Sequence, residues 1–219
     1  MVSLHSAELD EAYRHVEQYY TQKLRRHGPS PLGVDWSCMP TQALRFRKLL
    51  TLCDFDRPFS LNDLGCGYGA LLDYLALYHP RTPVDYLGID LSPAMVRSAR
   101  KRWTGETIRF HLGVESPRSA DYSIASGIFN VMLDQPVPVW EQLIETTLTH
   151  LRRTSRKGFA VNFVHVPTSK ERARTGLYCT TPTRWSQFCE MHLSSHVRVV
   201  DDYGMGEFTL LVEPLSDDR

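Results

Sequence analysis

The sequence has no surplus of charge of either sign. Its 219 residues carry 25 Lys and Arg against 25 Asp and Glu, a formal net charge of zero. That balance argues against a nucleic-acid binder, whose affinity rests on a basic surface. The two short basic runs, KLRRHG and RRTSRKG, read instead as helix ends, where cations offset the C-terminal end of the dipole. Cysteine is scarce and odd in number: Cys38, Cys53, Cys66, Cys179 and Cys189 include no C-x-x-C pair and no matching histidine spacing. A disulfide framework and a metal site are therefore excluded as expectations, and reduced thiols in a cytoplasmic protein are expected. No apolar run approaches the roughly 20 residues of a membrane span. The opening MVSLHSAELDEAYRH turns charged at Glu8, so no signal peptide is expected. Internal repeats and low-complexity linkers are also lacking, which predicts one domain over 1–219, with 1–58 a helical cover and 59–219 the core.

What is present divides into two textures. Over residues 6–26, Tyr13, Val16, Tyr20 and Leu24 recur at helical spacing, and HGPSPLG ends that helix. A second helix starts near Pro40 and carries Leu44, Leu49, Leu50 and Leu52. From FSLNDLG onward, strands alternate with helices. VDYLGIDLS, TIRFHLGV, DYSIASGIFNV and GFAVNFVHV read as strands two to five, and VWEQLIETTLTHLRR as a long amphipathic helix. Such alternation predicts a parallel sheet with helices on both faces. The tail differs: HVRVV and EFTLLVE flank DYGMGE, a glycine-containing turn that predicts an antiparallel hairpin. Seven strands result, and the hairpin stands where a dinucleotide-binding fold would have its second half.

The stretch NDLGCGYGALLDYL, residues 62–75, places Gly65, Gly67 and Gly69 at every second position between Asp63 and a helix. A strand that ends so and opens at once into a helix lets a ligand lie against bare backbone, near free amides. The same residues satisfy the dinucleotide G-x-G-x-x-G/A pattern, which by itself is weak. Asp63 tilts the reading, because a pyrophosphate would find a carboxylate repulsive and an ammonium would not. Asp90 then ends the next strand in GIDLS, about 20 residues beyond the glycines, where an acid accepts hydrogen bonds from both ribose hydroxyls.

LNDLGCGYGALLDYL followed by YLGIDLSPAMVRSAR resembles the first two motifs of the class I S-adenosylmethionine-dependent methyltransferases, strongly over Leu61–Arg100. The resemblance implies an α/β, Rossmann-like sandwich: a mostly parallel seven-stranded sheet ending in an antiparallel hairpin, with a helical N-terminal cover. GVDW, QALRF, ASGIFNV, RKGFAVN and DDYGMGEFTLLV are similar to a group of small bacterial methyltransferase-like proteins. That group includes enzymes that cyclise S-adenosylmethionine to azetidine-2-carboxylate. Carried over residue by residue, the resemblance implies S-adenosyl-L-methionine as cofactor, its methionine part over the backbone of Gly65 and Gly67. Asp63 would hold its ammonium, Asp90 its ribose, and Leu91 and Met95 would border the adenine. Glu115 and Ser116 fall where family members contact the adenine amine, and Ser126 and Gly127 on the rim beside the methionine chain. Arg45, on the helix before the first strand, would pair with the cofactor carboxylate; the competing reading is a surface arginine beside Arg47 and Lys48.

Methyl transfer from a sulfonium needs positioning first, and a base only if the acceptor must lose a proton. No D/N-P-P-Y/F stretch occurs, which points away from nucleic-acid amines and towards a small-molecule acceptor. Candidates for the reaction chamber are Asn130, Asn162, His165 and Tyr178 near the ends of strands four and five, with Phe129 beside them. Tyr20 and Trp36 join from the N-terminal cover, since ring faces attract a sulfonium. Phe129 and Trp36 are equally at home in a core, His165 in a solvated loop, and Tyr203 in the hairpin reads as structural. The alternative is cyclisation of S-adenosylmethionine itself, in a closed aromatic site poor in bases. A cofactor-binding regulator and a nicotinamide enzyme are further alternatives, and pairing of the N-terminal helix with a second copy would give a homodimer.

Overall fold

The computed structural model describes residues 4–167 and 176–215. Part of the polar insertion at 165–182, namely 168–175, lies outside the described residues. The chain opens with α1 (Leu4–His27), a short 3-10 turn at Pro31–Val34 and α2 (Met39–Leu49). Strand–helix alternation follows: β1 (Phe59–Leu64), α3 (Ala70–Tyr78), β2 (Val84–Asp90), α4 (Pro93–Arg102), β3 (Ile108–Leu112), β4 (Ala120–Ala125), α5 (Val137–Thr154) and β5 (Ser155–His165). The two-residue β6 (Cys179–Thr180), α6 (Pro182–His192), β7 (Ser195–Val200) and β8 (Glu207–Pro214) complete it.

The sheet runs β3-β2-β1-β4-β5-β8-β7, parallel from β3 to β5 and antiparallel through β8 and β7. β6 pairs with the last residues of β5, beyond the end of β4, and makes an eighth strand that the sequence reading lacks. Two residues are too short to show a hydrophobic period. The fourth strand is also shorter than DYSIASGIFNV predicts. It stops at Ala125, because Gly127 turns the chain with φ +74.

Central strands are buried on both faces: β1 is buried at every position but Ser60, although Asn62 and Asp63 among those positions are polar. Strand alternation then divides the core. Phe159, Val161 and Phe163 of β5, with Phe208, Leu210 and Val212 of β8, pack under α1, α5 and α6. Ala160 and Leu211 face the opposite way, into the core under α2, α3 and α4. By the same period, Asn162 and Glu207 point towards α2. α5 supplies its apolar stripe at Trp140, Leu143, Ile144, Leu148 and Leu151, the three- and four-residue spacing of one helix face.

α4 starts cleanly for local reasons. Ser92 Oγ accepts from the Met95 N–H (3.3 Å), Pro93 occupies the first turn, and Arg100, Lys101 and Arg102 close the last. The Ser92 hydroxyl also meets Thr21 Oγ1 at 2.7 Å, tying α1 to α4. Ser92→Ala is therefore expected to cost about 1–2 kcal/mol, a lost cap plus a lost tie, read as a lower urea midpoint with unchanged slope.

Candidate active site

The strand order reverses between β1 and β4, and a cleft opens at the C-terminal ends of these strands, as expected of open α/β sheets. It encloses about 710 Å³, counting its mouth. The floor is the β1–α3 turn, with Gly65, Cys66, Gly67, Tyr68 and Ala70. Asp63, Asp90, Leu91 and Met95 form one side, and Ser126, Gly127 and Ile128 the other. The N-terminal elements close the top through Val16, Tyr20, Val34, Trp36, Gln42 and Phe46. A second cavity of about 430 Å³ adjoins it, sharing Val16, Gly65, Leu91 and Ile128 and extending to Gly113, Val114, Trp140 and Thr147.

The floor has to be bare. A Cβ on Gly65 (φ +76) would lie 2.2 Å from Ile128 Cγ2, and on Gly127 2.3 Å from the Trp36 ring. Both turns thus fold only with glycine, and both present backbone to the cleft.

Two buried carboxylates flank that floor. Asp90 accepts the Gly67 N–H through Oδ2 (2.9 Å) and the Ser92 N–H through Oδ1 (2.8 Å). Asp63 accepts the Tyr86 hydroxyl at 2.6 Å. Among the described residues neither carboxylate has a Lys or Arg in salt-bridge range. Burial without a cation pushes Asp63 up to about 7, against the pull of the Tyr86 bond and helped by Asp90. Burial likewise raises Asp90 to about 6, although both backbone N–H bonds act the other way. The Cys66 thiol and the Tyr20 phenol are pushed up mainly by burial, so neither ionises readily. The Ser126 hydroxyl is buried and without a protein partner, as is Asn130 Oδ1.

Asp63, Gly65, Gly67, Asp90, Leu91, Met95, Ser126, Gly127, Tyr20 and Trp36 thus meet in one cleft. Other candidates from the sequence stand elsewhere. Arg45 meets a protein carboxylate: its Nε donates to Glu207 Oε2 (2.8 Å), Nη2 to Oε1, and Nη1 to the Thr41 carbonyl (2.9 Å). Its fork is spent, so pairing with a ligand carboxylate gives way to an internal ion pair. Asn162 is fully buried, with Oδ1 accepting the Gly127 N–H (2.8 Å) and Nδ2 donating to Glu207 Oε2 (3.0 Å). It supports the cleft from behind.

Glu115 and Ser116 lie outside both cavities. β3 ends at Leu112, and Gly113 and Val114 are the residues that turn inward. The Ser116 N–H donates instead to His150 Nε2 (2.8 Å), and its hydroxyl closes a turn onto the Arg118 carbonyl (2.9 Å). Tyr178 donates to Glu141 Oε1 (2.9 Å), which joins it to α5. His165 follows Phe163 to the α6 side and faces the Phe208 ring, 4.8 Å between centroids. Asn130 and Phe129 are buried near the cleft wall, and Phe129 stacks on Phe163. Sequence reasoning missed Gln42, Phe46, Tyr68 and Ile128. Gln42 and Phe46 sit in QALRF with Arg45, and helical spacing alone could have put them on a common face.

Among the described residues no group of three or more His, Cys, Asp or Glu side chains is gathered as a metal site requires, and no helix is long and apolar enough to cross a membrane.

Comparison with known proteins agrees with this geometry. Residues 62–155 match the family model described as a methyltransferase domain. The chain is 45% identical over 160 residues to "Putative methyltransferase Rv1506c" of Mycobacterium tuberculosis (strain ATCC 25618 / H37Rv), covering 73% of this chain and 95% of that one. Among solved structures, it superposes on the DhpI–SAH complex with a TM-score of 0.65 at 14% identity, covering 93% of this chain and 97% of the other. On the pyocyanin biosynthetic protein PhzM the TM-score is 0.60 at 16% identity, covering 97% and 74%. A shared fold, the matched domain and a near-full-length relative lead to one conclusion. The chain belongs to the class I S-adenosylmethionine-dependent methyltransferases.

Proposed function

We propose that this enzyme methylates a small-molecule acceptor of specialised biosynthesis, with S-adenosylmethionine bound across the glycine floor between Asp63 and Asp90. The observation that carries the reading is the pair of buried carboxylates facing the cleft with no cation of their own. The residues fit the group. Asp63 suits an ammonium, Asp90 retains lone pairs for a diol, and the unpartnered Ser126 hydroxyl awaits a polar neighbour. Leu91, Met95, Gly113 and Val114 offer the apolar slot an adenine needs. The closed, aromatic top favours a small acceptor over a macromolecule; the DhpI complex with SAH is in keeping with the cofactor, and PhzM, a pyocyanin biosynthetic protein, with a biosynthetic role.

When bound, S-adenosylmethionine supplies a methyl group already activated on a sulfonium. The chain's part is then to orient and to exclude water. Tyr20 and Phe46 cover the cleft with rings whose faces attract a cation by about 0.5–2 kcal/mol each, while Trp36 stacks on Arg45. Histidine is missing from the lining, and Asp63 is bound to Tyr86, so positioning carries the rate.

Incubating the purified protein with S-adenosylmethionine alone, then resolving nucleosides by mass spectrometry, tests this. The expected result is intact cofactor, with S-adenosylhomocysteine appearing only when an acceptor is added. Methylthioadenosine together with a cyclised amino acid would replace methyl transfer by cyclisation.

Affinity should also depend on pH. In the free protein Asp63 is raised to about 7 from its ordinary 3.8, so its contribution to stability is full below about 4 and falls as pH rises through about 7. An ammonium binds the ionised form, so S-adenosylmethionine affinity moves the opposite way. We expect a gain of roughly 25-fold between about pH 5.5 and 7.5 by calorimetry. Asp63→Asn should flatten that profile; an unchanged slope would remove Asp63 from the ammonium contact.

A further inference from the structure

We propose that Arg45, Glu207 and Asn162 are positioning residues that clamp Trp36 and the Gly127 turn into one rigid wall of the cleft, an inference that rests on the cofactor reading above. The contacts close a ring through five parts of the chain. From the β4 end, the Gly127 N–H donates to Asn162 Oδ1 on β5 (2.8 Å). Asn162 Nδ2 donates to Glu207 Oε2 on β8 (3.0 Å), and Glu207 holds the Arg45 fork on α2. The Arg45 guanidinium then lies over the Trp36 ring, 3.8 Å from Cζ to the centroid. Trp36 returns to the start: its Cζ2 and Cη2 fill the place where a Cβ on Gly127 would stand, at 2.3 and 2.5 Å.

A buried ion pair is poor evidence of stability, because removing two charges from water costs about as much as their attraction returns. Its value here is geometric. Glu207 Oε2 accepts from both Arg45 and Asn162, and Arg45 Nη1 is satisfied by the Thr41 carbonyl. A network satisfied in this way has few other arrangements of comparable energy. A two-pronged fork also fixes the plane of the guanidinium, and with it the plane on which Trp36 stacks. The wall so fixed includes Ser126, which lines the cleft and whose hydroxyl has no protein partner. Trp36 sits on a segment whose other anchor is Asp35, held to α1 by Lys23 at 2.6 Å and by Tyr19. The ring thus ties the N-terminal segment to the ends of β4, β5 and β8.

The test follows Trp36 directly. The chain has four tryptophans, so subtracting the spectrum of Trp36→Phe isolates its emission and its quenching by acrylamide. Asn162→Ala opens the ring two contacts away from Trp36. It should raise Trp36 quenching severalfold and weaken both S-adenosylmethionine and S-adenosylhomocysteine by about tenfold, the equivalent of one lost hydrogen bond. Adding Arg45→Lys to Asn162→Ala should raise the quenching little more, since both substitutions open the same ring and neither strands a buried charge. Arg45→Lys keeps the charge but loses fork and stack, and should behave like Asn162→Ala; it also serves if Asn162→Ala does not fold. Folded variants with a lower melting temperature but parental Trp36 quenching would overturn the proposal, leaving these residues structural only. A parental protein that binds no S-adenosylmethionine while the variants still expose Trp36 would strike the cofactor reading and support the ring.

Discussion

Glu207→Leu is expected to remove about 3–5 kcal/mol of folding stability, the penalty for leaving a buried charge without its counter-ion. Arg45 and Glu207 are only 7% and 6% exposed, so the guanidinium cannot turn to water without opening α2. Asn162 Nδ2 loses its acceptor in the same step. Urea denaturation measures the loss as a lower midpoint. Adding Arg45→Met to Glu207→Leu should recover most of it, because an apolar pair of similar volume removes the stranded charge. A single variant within about 1 kcal/mol of the parent would mean that Arg45 finds solvent.

Asp90→Ala is expected to weaken S-adenosylmethionine by about 2–3 kcal/mol, roughly 30- to 150-fold in dissociation constant, if the carboxylate receives a ribose diol. The substitution also strips the Gly67 and Ser92 N–H groups of their acceptor. The glycine turn and the start of α4 should therefore loosen, at about 1–3 kcal/mol per unsatisfied donor. Calorimetry and denaturation separate the two effects. Asp90→Asn, which keeps one carbonyl oxygen as acceptor, should retain more stability than affinity. Parental affinity in Asp90→Ala would move the ribose elsewhere in the cleft.

These two sites show where the sequence was legible. Asp63, Gly65, Gly67 and Asp90 lie within one β-α-β unit, so their roles in the backbone follow from spacing along 62–90. Strand ends and helix starts there are set by neighbours: Pro93 and Ser92 at the head of α4, glycines after β1. The final hairpin was equally local, two strands about a glycine-containing turn. Arg45 was not legible in the same way. Its motif position pointed to a ligand carboxylate, yet Glu207, 162 positions away, reaches it first. Nothing in QALRF announces a partner on the last strand.

The placement of Glu115 and Ser116 outside both cavities has a different origin. A shift of one or two residues past a strand end changes which side chain faces inward, and here Gly113 and Val114 do so. His165 and Tyr178 were placed in the right region of the chain, but β5 alternation and the Glu141 bond turn them towards α5 and α6. By itself the sequence determined the α/β alternation, the bare turn and the two acids beside it, because each depends on backbone conformation and period within a few tens of residues. Only the tertiary structure decided which face each strand-end side chain takes and which buried charges meet. Those choices depend on β4, β5, β8 and α2 arriving at one point, and segments so far apart in the chain leave no shared period to read.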